Sequence, residues 1–352
     1  MNKYFWKNKK VLVTGHTGFK GAWLSFWLKH KEAKVYGISL KEKKQSFFHY
    51  INLKKFINRN IYCDINNYNL LKKNIRKIDP EIVFHLAAQP LVIRSYEFPL
   101  ETINTNIVGT SNLLKILKEC KNLKSIIIVT SDKCYEAKVE KNYTESDKLG
   151  GSDIYSASKA CTEIISNAFR ETYFQNSKIK LATVRAGNVL GGGDFADNRI
   201  IPDLMRAYYQ KKNCLIRNKD FIRPWQHVLD PLYGYIKLAE KLYLSKNFNI
   251  EYDSAWNFGP TEKKRKVIEL VLEAKKYFKI NIIFKKKKNL VKETQSLFLN
   301  SNKAKKYLKW ENKIKFKKMI FLTSEWYLNY KNKKKILEIT KKQITQFENE
   351  KK

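Results

Sequence analysis

An α/β fold, a doubly wound parallel sheet with a smaller C-terminal α/β lobe, is what this sequence predicts, and three observations carry the prediction. Short apolar runs alternate with longer helix-forming stretches through the first half of the chain, a rhythm that buries a parallel sheet under helices on both faces. The first two of these segments are joined by a turn with glycines at Gly15, Gly18 and Gly21. Residues able to do chemistry recur just after the apolar runs, where ligands bind in such sheets.

The elements follow in chain order. Val11, Leu12 and Val13 make a buried strand over 10–14 that runs into Gly15-His16-Thr17-Gly18-Phe19-Lys20-Gly21. Glycines at that spacing permit a tight turn, a close backbone approach to a pyrophosphate and close packing of the next helix. That helix is expected over 19–31, its amides and positive dipole end turned toward the phosphates. Further strands are expected at 34–38, 60–63, 81–86, 125–130 and 180–185, with helices at 67–77, 101–120 and 154–173. After Arg185 the pattern loosens at Gly187, Gly191 to Gly193, Pro202, Pro224 and Pro231. A helix at 231–243 and a strand at 255–258 come next, then a helix at 266–278, a strand at 280–284 and helices at 302–308 and 315–330. The division expected is a Rossmann-like domain over 1–185 with 225–258, and a second lobe over 186–224 with 259–330. The lysine-rich stretch 331–352 reads as an exposed helix or a partly disordered tail.

Composition narrows the class. With 352 residues, 43% of them hydrophobic, the chain can bury a large core. No apolar stretch is long enough to span a bilayer, and the charged N-terminus leads straight into the glycine turn, which predicts a cytoplasmic protein without membrane contact. Cys63, Cys120, Cys134, Cys161 and Cys214 are scattered and lack metal-ligand spacing, so neither a disulfide framework nor a metal site is expected. The net charge of +37 raises a different class, a nucleic-acid binder. Its lysines, however, lie in short runs throughout, such as Lys41 to Lys44, Lys285 to Lys288 and Lys333 to Lys335, with no recognisable binding element among them. A general lysine bias on solvated faces is the reading adopted.

Tyr155 and Lys159 stand four residues apart on a predicted helix. An ammonium one turn from a phenol favours the phenolate, which can take a hydroxyl proton while a hydride leaves the same carbon. By themselves two such residues are commonplace; their company is Ser131-Asp132-Lys133, directly after the apolar run at 126–129. Trp23 and Trp27, also one turn apart, read as core, and Asp153 as a helix cap.

Five ordered motifs then carry a resemblance: residues 13–24, Thr130-Ser131-Asp132-Lys133-Cys134-Tyr135-Glu136, Tyr155-Ser156-Ala157-Ser158-Lys159, Val184-Arg185-Ala186-Gly187-Asn188-Val189 and the stretch Arg223-Pro224-Trp225-Gln226-His227 continuing to Leu232. Over most of its length the chain resembles the extended short-chain dehydrogenase/reductases, and among them the nucleotide-sugar 4,6-dehydratases of the CDP-glucose type. The resemblance implies CDP-glucose as substrate and NAD as a cofactor reduced and reoxidised within each turnover. It puts Ser131 and Tyr155 at the sugar C4 hydroxyl, with Tyr155 as base and Lys159 as its electrostatic partner and a ribose contact. Related dehydratases have an Asp-Glu pair where Asp132-Lys133 stands here; Asp132 is then the acid for the departing C6 hydroxyl. Lys133 is either the C5 base or a stabiliser of the enolate.

For the cofactor, the resemblance implies Gly15, Thr17, Gly18, Phe19 and Gly21 of the turn, Asp64 and Ile65 after the third strand, and Leu86, Ala87 and Ala88 after the fourth. The acidic residue expected at the end of the second strand is replaced by Ser39-Leu40-Lys41, so NAD over NADP rests on the resemblance. Gln89, Asn188, Arg199, Arg223 and His227 are the implied substrate contacts, and helices 101–120 and 154–173 the implied bundle of a homo-oligomer. Another nucleotide-sugar dehydratase or epimerase, or a basic nucleic-acid-binding protein on an inactive dinucleotide fold, are the alternatives.

Overall fold

Seven strands form one parallel sheet. In this computed structural model, which describes residues 4–137, 141–245, 252–262, 264–285 and 297–350, they are β1 (Lys10–Thr14), β2 (Lys34–Ser39), β3 (Arg59–Tyr62), β4 (Ile82–His85), β5 (Ser125–Val129), β6 (Lys180–Ala186) and β7 (Ala255–Phe258). Their order is β7-β6-β5-β4-β1-β2-β3, and every neighbouring pair runs parallel. Strand order reverses between β1 and β4, which opens a crevice above their carboxyl ends. The fold class read from the sequence is the one observed.

Side-chain alternation decides which layer each residue serves. Val11 and Val13 of β1 and Ile127 and Val129 of β5 face one core, whereas Leu12, Ile126 and Ile128 face the other. The first core is covered by α1 (Phe19–His30), which buries Ala22, Trp23, Leu24, Phe26, Trp27 and Leu28 as expected for the two tryptophans. The second lies under α2 (Tyr68–Ile78) and α3 (Gly109–Leu117), whose Leu71, Ile75, Leu113 and Leu117 interlock there. The expected helix at 101–120 is in fact an α-helical turn at Pro99–Ile103, a π-helical stretch at Asn104–Val108 and then α3. Asp153 caps α4 (Ile154–Phe169) by accepting from the Ser156 amide.

Beyond β6 the chain holds more regular structure than its glycines and prolines suggest. Helix α5 (Ile200–Gln210) and the strand Cys214–Arg217 were not anticipated; that strand pairs in parallel with Ile282–Lys285, which falls close to the expected strand at 280–284, as α6 (Leu229–Leu244) and α7 (Val267–Lys275) fall close to the expected helices. Lys286 to Lys288 lie outside the described residues. All five cysteines are free thiols. Among the described residues no helix is long and apolar enough to cross a membrane.

The C-terminal segment corrects the sequence reading. It is helical, α9 (Lys333–Asn349), but not exposed: it packs on α8 (Phe316–Asn329) and α1 through buried Ile336, Ile339, Thr340, Gln343, Ile344 and Phe347. The spacing of those residues is a helical stripe, hidden by the lysines between them. Polar ties reinforce it: Trp27 Nε1 donates to Glu348 at 2.5 Å, Lys31 pairs with Glu348 at 2.6 Å, and Trp326 Nε1 donates to Thr340 at 3.1 Å.

Candidate active site

Four loops meet above the crevice. The first is the glycine turn after β1. Gly15 has φ +73°, and a side chain there would come within 2.6 Å of the Ala87 amide; at Gly21 it would fall 2.2 Å from the Gly15 carbonyl. The turn is therefore a bare-backbone cradle at the start of α1, and a dinucleotide's pyrophosphate fits its amides and dipole. Gly18 remains exposed and Phe19 half-buried. Thr17 is buried, its hydroxyl shared with Ser39 at 2.7 Å and the Leu40 carbonyl at 3.0 Å, so the end of β2 is closed by hydroxyls rather than by a carboxylate. At the end of β3, Asp64 is exposed and accepts from the Asn66 amide, while Ile65 is buried against Gly109.

After β4 come Leu86, Ala87 and Ala88, each half-buried beside the glycine turn. His85 fixes this segment, bonding Thr14 Oγ1 at 2.6 Å and Thr110 Oγ1 at 3.0 Å; burial, with Lys159 nearby, pushes it down to about 3 and keeps it neutral. Gln89 has a structural use here. Its amide side chain is taken up by Leu91 and Thr102, and its backbone by Asn106. Asn106 in turn donates to Ser158 of α4 at 2.9 Å, which locks the loop to the helix carrying Tyr155 and Lys159.

The third loop begins after β5. Ser131 caps a one-turn 3₁₀ helix, Asp132–Cys134, its Oγ accepting from the Lys133 amide at 3.3 Å and donating to Asp132 Oδ1 at 2.9 Å. The same hydroxyl opposes the upward shift of the Tyr155 phenol and Asp132 adds to it, so Ser131, Asp132 and Tyr155 form one electrostatically connected unit. Burial raises Asp132 above its ordinary value, against the pull of Lys133, the Ser131 hydrogen bond, Lys20 and Arg223. Burial likewise pushes Tyr155 up to about 12, and pushes Lys159 down to about 8 with help from the Lys20 charge. Burial, rather than the expected lowering by Lys159, governs Tyr155: both groups are almost fully enclosed, and low polarity favours the neutral form of each.

The fourth loop follows β6. A side chain on Gly187 would approach Asp132 Oδ2 and Pro224 to 3.1 Å each, so this loop and the Arg223 segment close over the carboxylate. Asn188 is half-buried, and its main-chain carbonyl accepts from the Gln226 main-chain amide. Arg223 reaches Asp132 electrostatically and lies over the Phe221 ring. Arg199, at the start of α5, pairs loosely with Asp194 at 3.4 Å. His227 does not join them: it is fully buried, edge-on to Trp23, and burial pushes it down to about 3.

Two features escaped sequence reasoning. Beneath the site, Glu163 of α4 and Arg185 of β6 form an ion pair at 2.8 Å, both nearly inaccessible, with Thr130, Thr183 and Tyr135 completing it. The other is Lys20, whose ammonium lies within electrostatic reach of Asp132, Asp194, Arg199 and Lys159. Its signal was a charged residue between two turn glycines.

Comparison with known proteins agrees with this geometry. A CDP-glucose 4,6-dehydratase of Salmonella typhimurium is 44% identical over 280 residues, covering 78% of this chain and 77% of that protein. A UDP-glucose 4-epimerase of Thermotoga maritima, solved with UDP-glucose, superimposes with a TM-score of 0.77 at 22% identity over 91% of this chain and 98% of that one. A dTDP-glucose 4,6-dehydratase of Bacillus anthracis, solved with NAD, gives 0.75 at 21% identity over 94% and 99%. The family model described as GDP-mannose 4,6 dehydratase matches residues 12–323, a span that takes in the glycine turn, the Ser131-Asp132-Tyr155 unit and the loops that close over it, and the chain belongs to that family.

Proposed function

We propose that the protein is a nucleotide-sugar 4,6-dehydratase acting on CDP-glucose to give CDP-4-keto-6-deoxyglucose and water. The observation that carries the reading is the enclosure of Tyr155, Ser131 and Asp132 together, with the Ser131 hydroxyl donating to a carboxyl that burial makes less acidic than an ordinary aspartate. A plain oxidation or 4-epimerisation needs no such acid; loss of the C6 hydroxyl does. CDP-glucose is favoured by the name and 44% identity of the Salmonella typhimurium relative.

Gly15, Thr17, Gly18, Phe19 and Gly21, with Asp64, Ile65 and Leu86 to Ala88, would hold NAD, which when bound would supply a hydride acceptor for C4 and a hydride donor for C6. Ser131 orients the C4 hydroxyl and Tyr155 takes its proton, Lys159 standing one turn behind. The ketone at C4 acidifies C5. A base takes the C5 proton, Lys133 being either that base or a cation that stabilises the enolate while water accepts the proton, and Asp132 delivers its proton to the departing C6 hydroxyl, which leaves as water. Arg199 and Arg223 hold the diphosphate, for which a planar bidentate cation is suited. In this reading residues 1–185 with 225–258 serve the dinucleotide, and 186–224 with 259–330 the sugar nucleotide. Five free thiols and the absence of a crossing helix among the described residues agree with a cytoplasmic site of action.

The test is isotopic. With deuterium at C4 of CDP-glucose, mass spectrometry of the product is expected to find it at C6, and in heavy water one solvent deuterium at C5. Label that stays at C4 or washes out excludes the internal hydride relay. UDP- and dTDP-glucose run in parallel identify the nucleobase; faster turnover of either would reassign the substrate.

The same reading includes a homo-oligomer. Its support is a set of exposed apolar side chains, Tyr96, Phe98, Leu100 and Val108 before α3 and Ile154 and Ile164 on α4. Sedimentation equilibrium is expected to return a multiple of 41.7 kDa, and Leu100→Glu with Ile164→Glu to return the monomer. A monomer in both cases rules the assembly out.

A further inference from the structure

The turn over 131–134 carries Ser131, Asp132 and Lys133, and the residues that bracket it, Thr130 and Tyr135, are tied to the two halves of one buried ion pair. Thr130 Oγ1 donates to Glu163 Oε1, and the Thr130 amide donates to the Val184 carbonyl at 2.9 Å. At the other end the Tyr135 hydroxyl accepts from Arg185 Nη1 at 2.6 Å and donates to Asn257 Oδ1 at 2.8 Å. Glu163 Oε2 closes the circuit, accepting from Arg185 Nη2 at 2.8 Å and from Thr183 at 2.6 Å. The directions are fixed by chemistry. Arg185 can only donate, so the Tyr135 proton is turned to Asn257, whose Nδ2 then donates to the Tyr143 carbonyl at 2.9 Å. All these side chains are buried, and a directional network so enclosed holds one arrangement.

The pair refers the turn to everything around it. Glu163 lies one turn beyond Lys159 on α4, Arg185 precedes the Gly187 backbone that closes on Asp132, and Asn257 stands in β7. Support within the turn is slight: the Lys133 amide reaches Ser131 Oγ and the Cys134 amide the Ser131 carbonyl, both at 3.3 Å, while the Gly150 amide holds the Cys134 carbonyl at 2.9 Å. Bonds that long are weak, so the ends of the turn are set from outside. We propose that Thr130 and Tyr135 are positioning residues of the dehydratase reaction: anchored on Glu163 and Arg185, Thr130 sets the end that presents Ser131 to the C4 hydroxyl, and Tyr135 the end that presents Lys133 to C5. The role rests on the dehydratase reading, but the anchoring does not. The Tyr135 ring stacks on Tyr143 at 4.8 Å and lies against the Arg185 guanidinium at 4.8 Å, so Tyr135→Phe removes two hydrogen bonds and keeps the packing.

Two measurements on Thr130→Val, Thr130→Ser and Tyr135→Phe decide the matter. The first needs neither substrate nor cofactor: hydrogen exchange over 125–136, read by mass spectrometry. Losing a hydrogen bond to a charged group is expected to speed exchange of the Lys133 and Cys134 amides about tenfold in Thr130→Val and Tyr135→Phe, with β5 unmoved and Thr130→Ser keeping the original rate. The second uses CDP-glucose, with and without deuterium at C4. In Thr130→Val and Tyr135→Phe, kcat is expected to fall about ten- to a hundredfold with KM little changed, the cost of a small misplacement, and Thr130→Ser to recover it. The C4 isotope effect on kcat should rise in Thr130→Val, whose loosened end carries Ser131, and reduced dinucleotide should accumulate in Tyr135→Phe, whose loosened end carries Lys133. Loss of folded protein alone would lower the rate and leave both readouts where they were. Exchange over 131–134 that is unmoved, or quickened equally in β5, overturns the anchoring. Faster exchange with kcat within a few-fold, or with the isotope effect and the reduced dinucleotide both unmoved, overturns the positioning role. Failure of the unaltered protein to dehydrate any nucleotide sugar overturns the reading and the role together, while the exchange result still judges the anchoring.

Discussion

Tyr155→Phe is expected to lower turnover of the nucleotide sugar by about a hundred- to ten-thousand-fold, the range that a positioned general base contributes. The substitution removes one oxygen. The ring stays enclosed, α4 keeps its Asp153 cap and its tie through Ser158 to Asn106, and Ser131 keeps its bond to Asp132. Substrate and dinucleotide affinities are therefore expected to change little, and the loss should appear in kcat and in kcat/KM alike, as it does when an interaction made in the transition state is deleted. Steady-state kinetics together with calorimetry of dinucleotide binding check this. Turnover within a few-fold of the unaltered protein would show that another group accepts the C4 hydroxyl proton. Asp132→Asn provides the contrast: oxidation at C4 survives and elimination stalls, so reduced dinucleotide should accumulate on the protein.

Glu163→Gln carries the largest expected cost in stability. The carboxylate lies between α4, β5 and β6, accepting from Thr130, Thr183 and Arg185 in a region almost closed to solvent. Burial opposes its charge, but the Arg185 charge and these hydrogen bonds hold Glu163 below its ordinary value, and its carboxylate keeps Arg185 well above its own. Removing one partner strands the other, for about 3–5 kcal/mol. Denaturant unfolding should reveal the loss, and Glu163→Met combined with Arg185→Met should recover a large part of it, because a pair of apolar groups leaves no orphan charge. Equal instability in the double variant would show that packing, not charge, is what matters there. The sign with pH follows from the lowered value: the contribution is complete above the ordinary glutamate value of 4.5 and is lost as pH falls through the folded one. Because Thr130 precedes Ser131, and Glu163 shares α4 with Tyr155 and Lys159, the same variant should also loosen the site.

Much of the architecture was legible residue by residue. Strands β1, β4, β5 and β6 announce themselves as apolar runs whose alternate members face two cores, and the turn between β1 and α1 announces itself by glycines that nothing larger could replace. Tyr155, Lys159, Ser131 and Asp132 could be put forward from the sequence because each pair is close in the chain and the chemistry constrains the spacing, and the structure encloses all four. Helix α5 and the strand Cys214–Arg217, which pairs with Ile282–Lys285, were missed for a different reason. Proline and glycine at their borders mask short elements whose stability comes from partners many residues away.

The sequence by itself determined the sheet and the cradle for a dinucleotide and put forward the groups proposed to handle protons, since periodicity, backbone freedom and motif spacing are local properties. Only the tertiary structure decided where those groups stand relative to charge and water. Gln89 and His227 are polar residues in suggestive loops, yet one is consumed by Asn106, Thr102 and Leu91 and the other is sealed beside Trp23. The lysine-rich C-terminus hides a buried stripe that packs on α1. The protonation of Asp132, Tyr155 and Lys159 is likewise set by enclosure, a property of segments distant in the chain brought into contact, which no local pattern records.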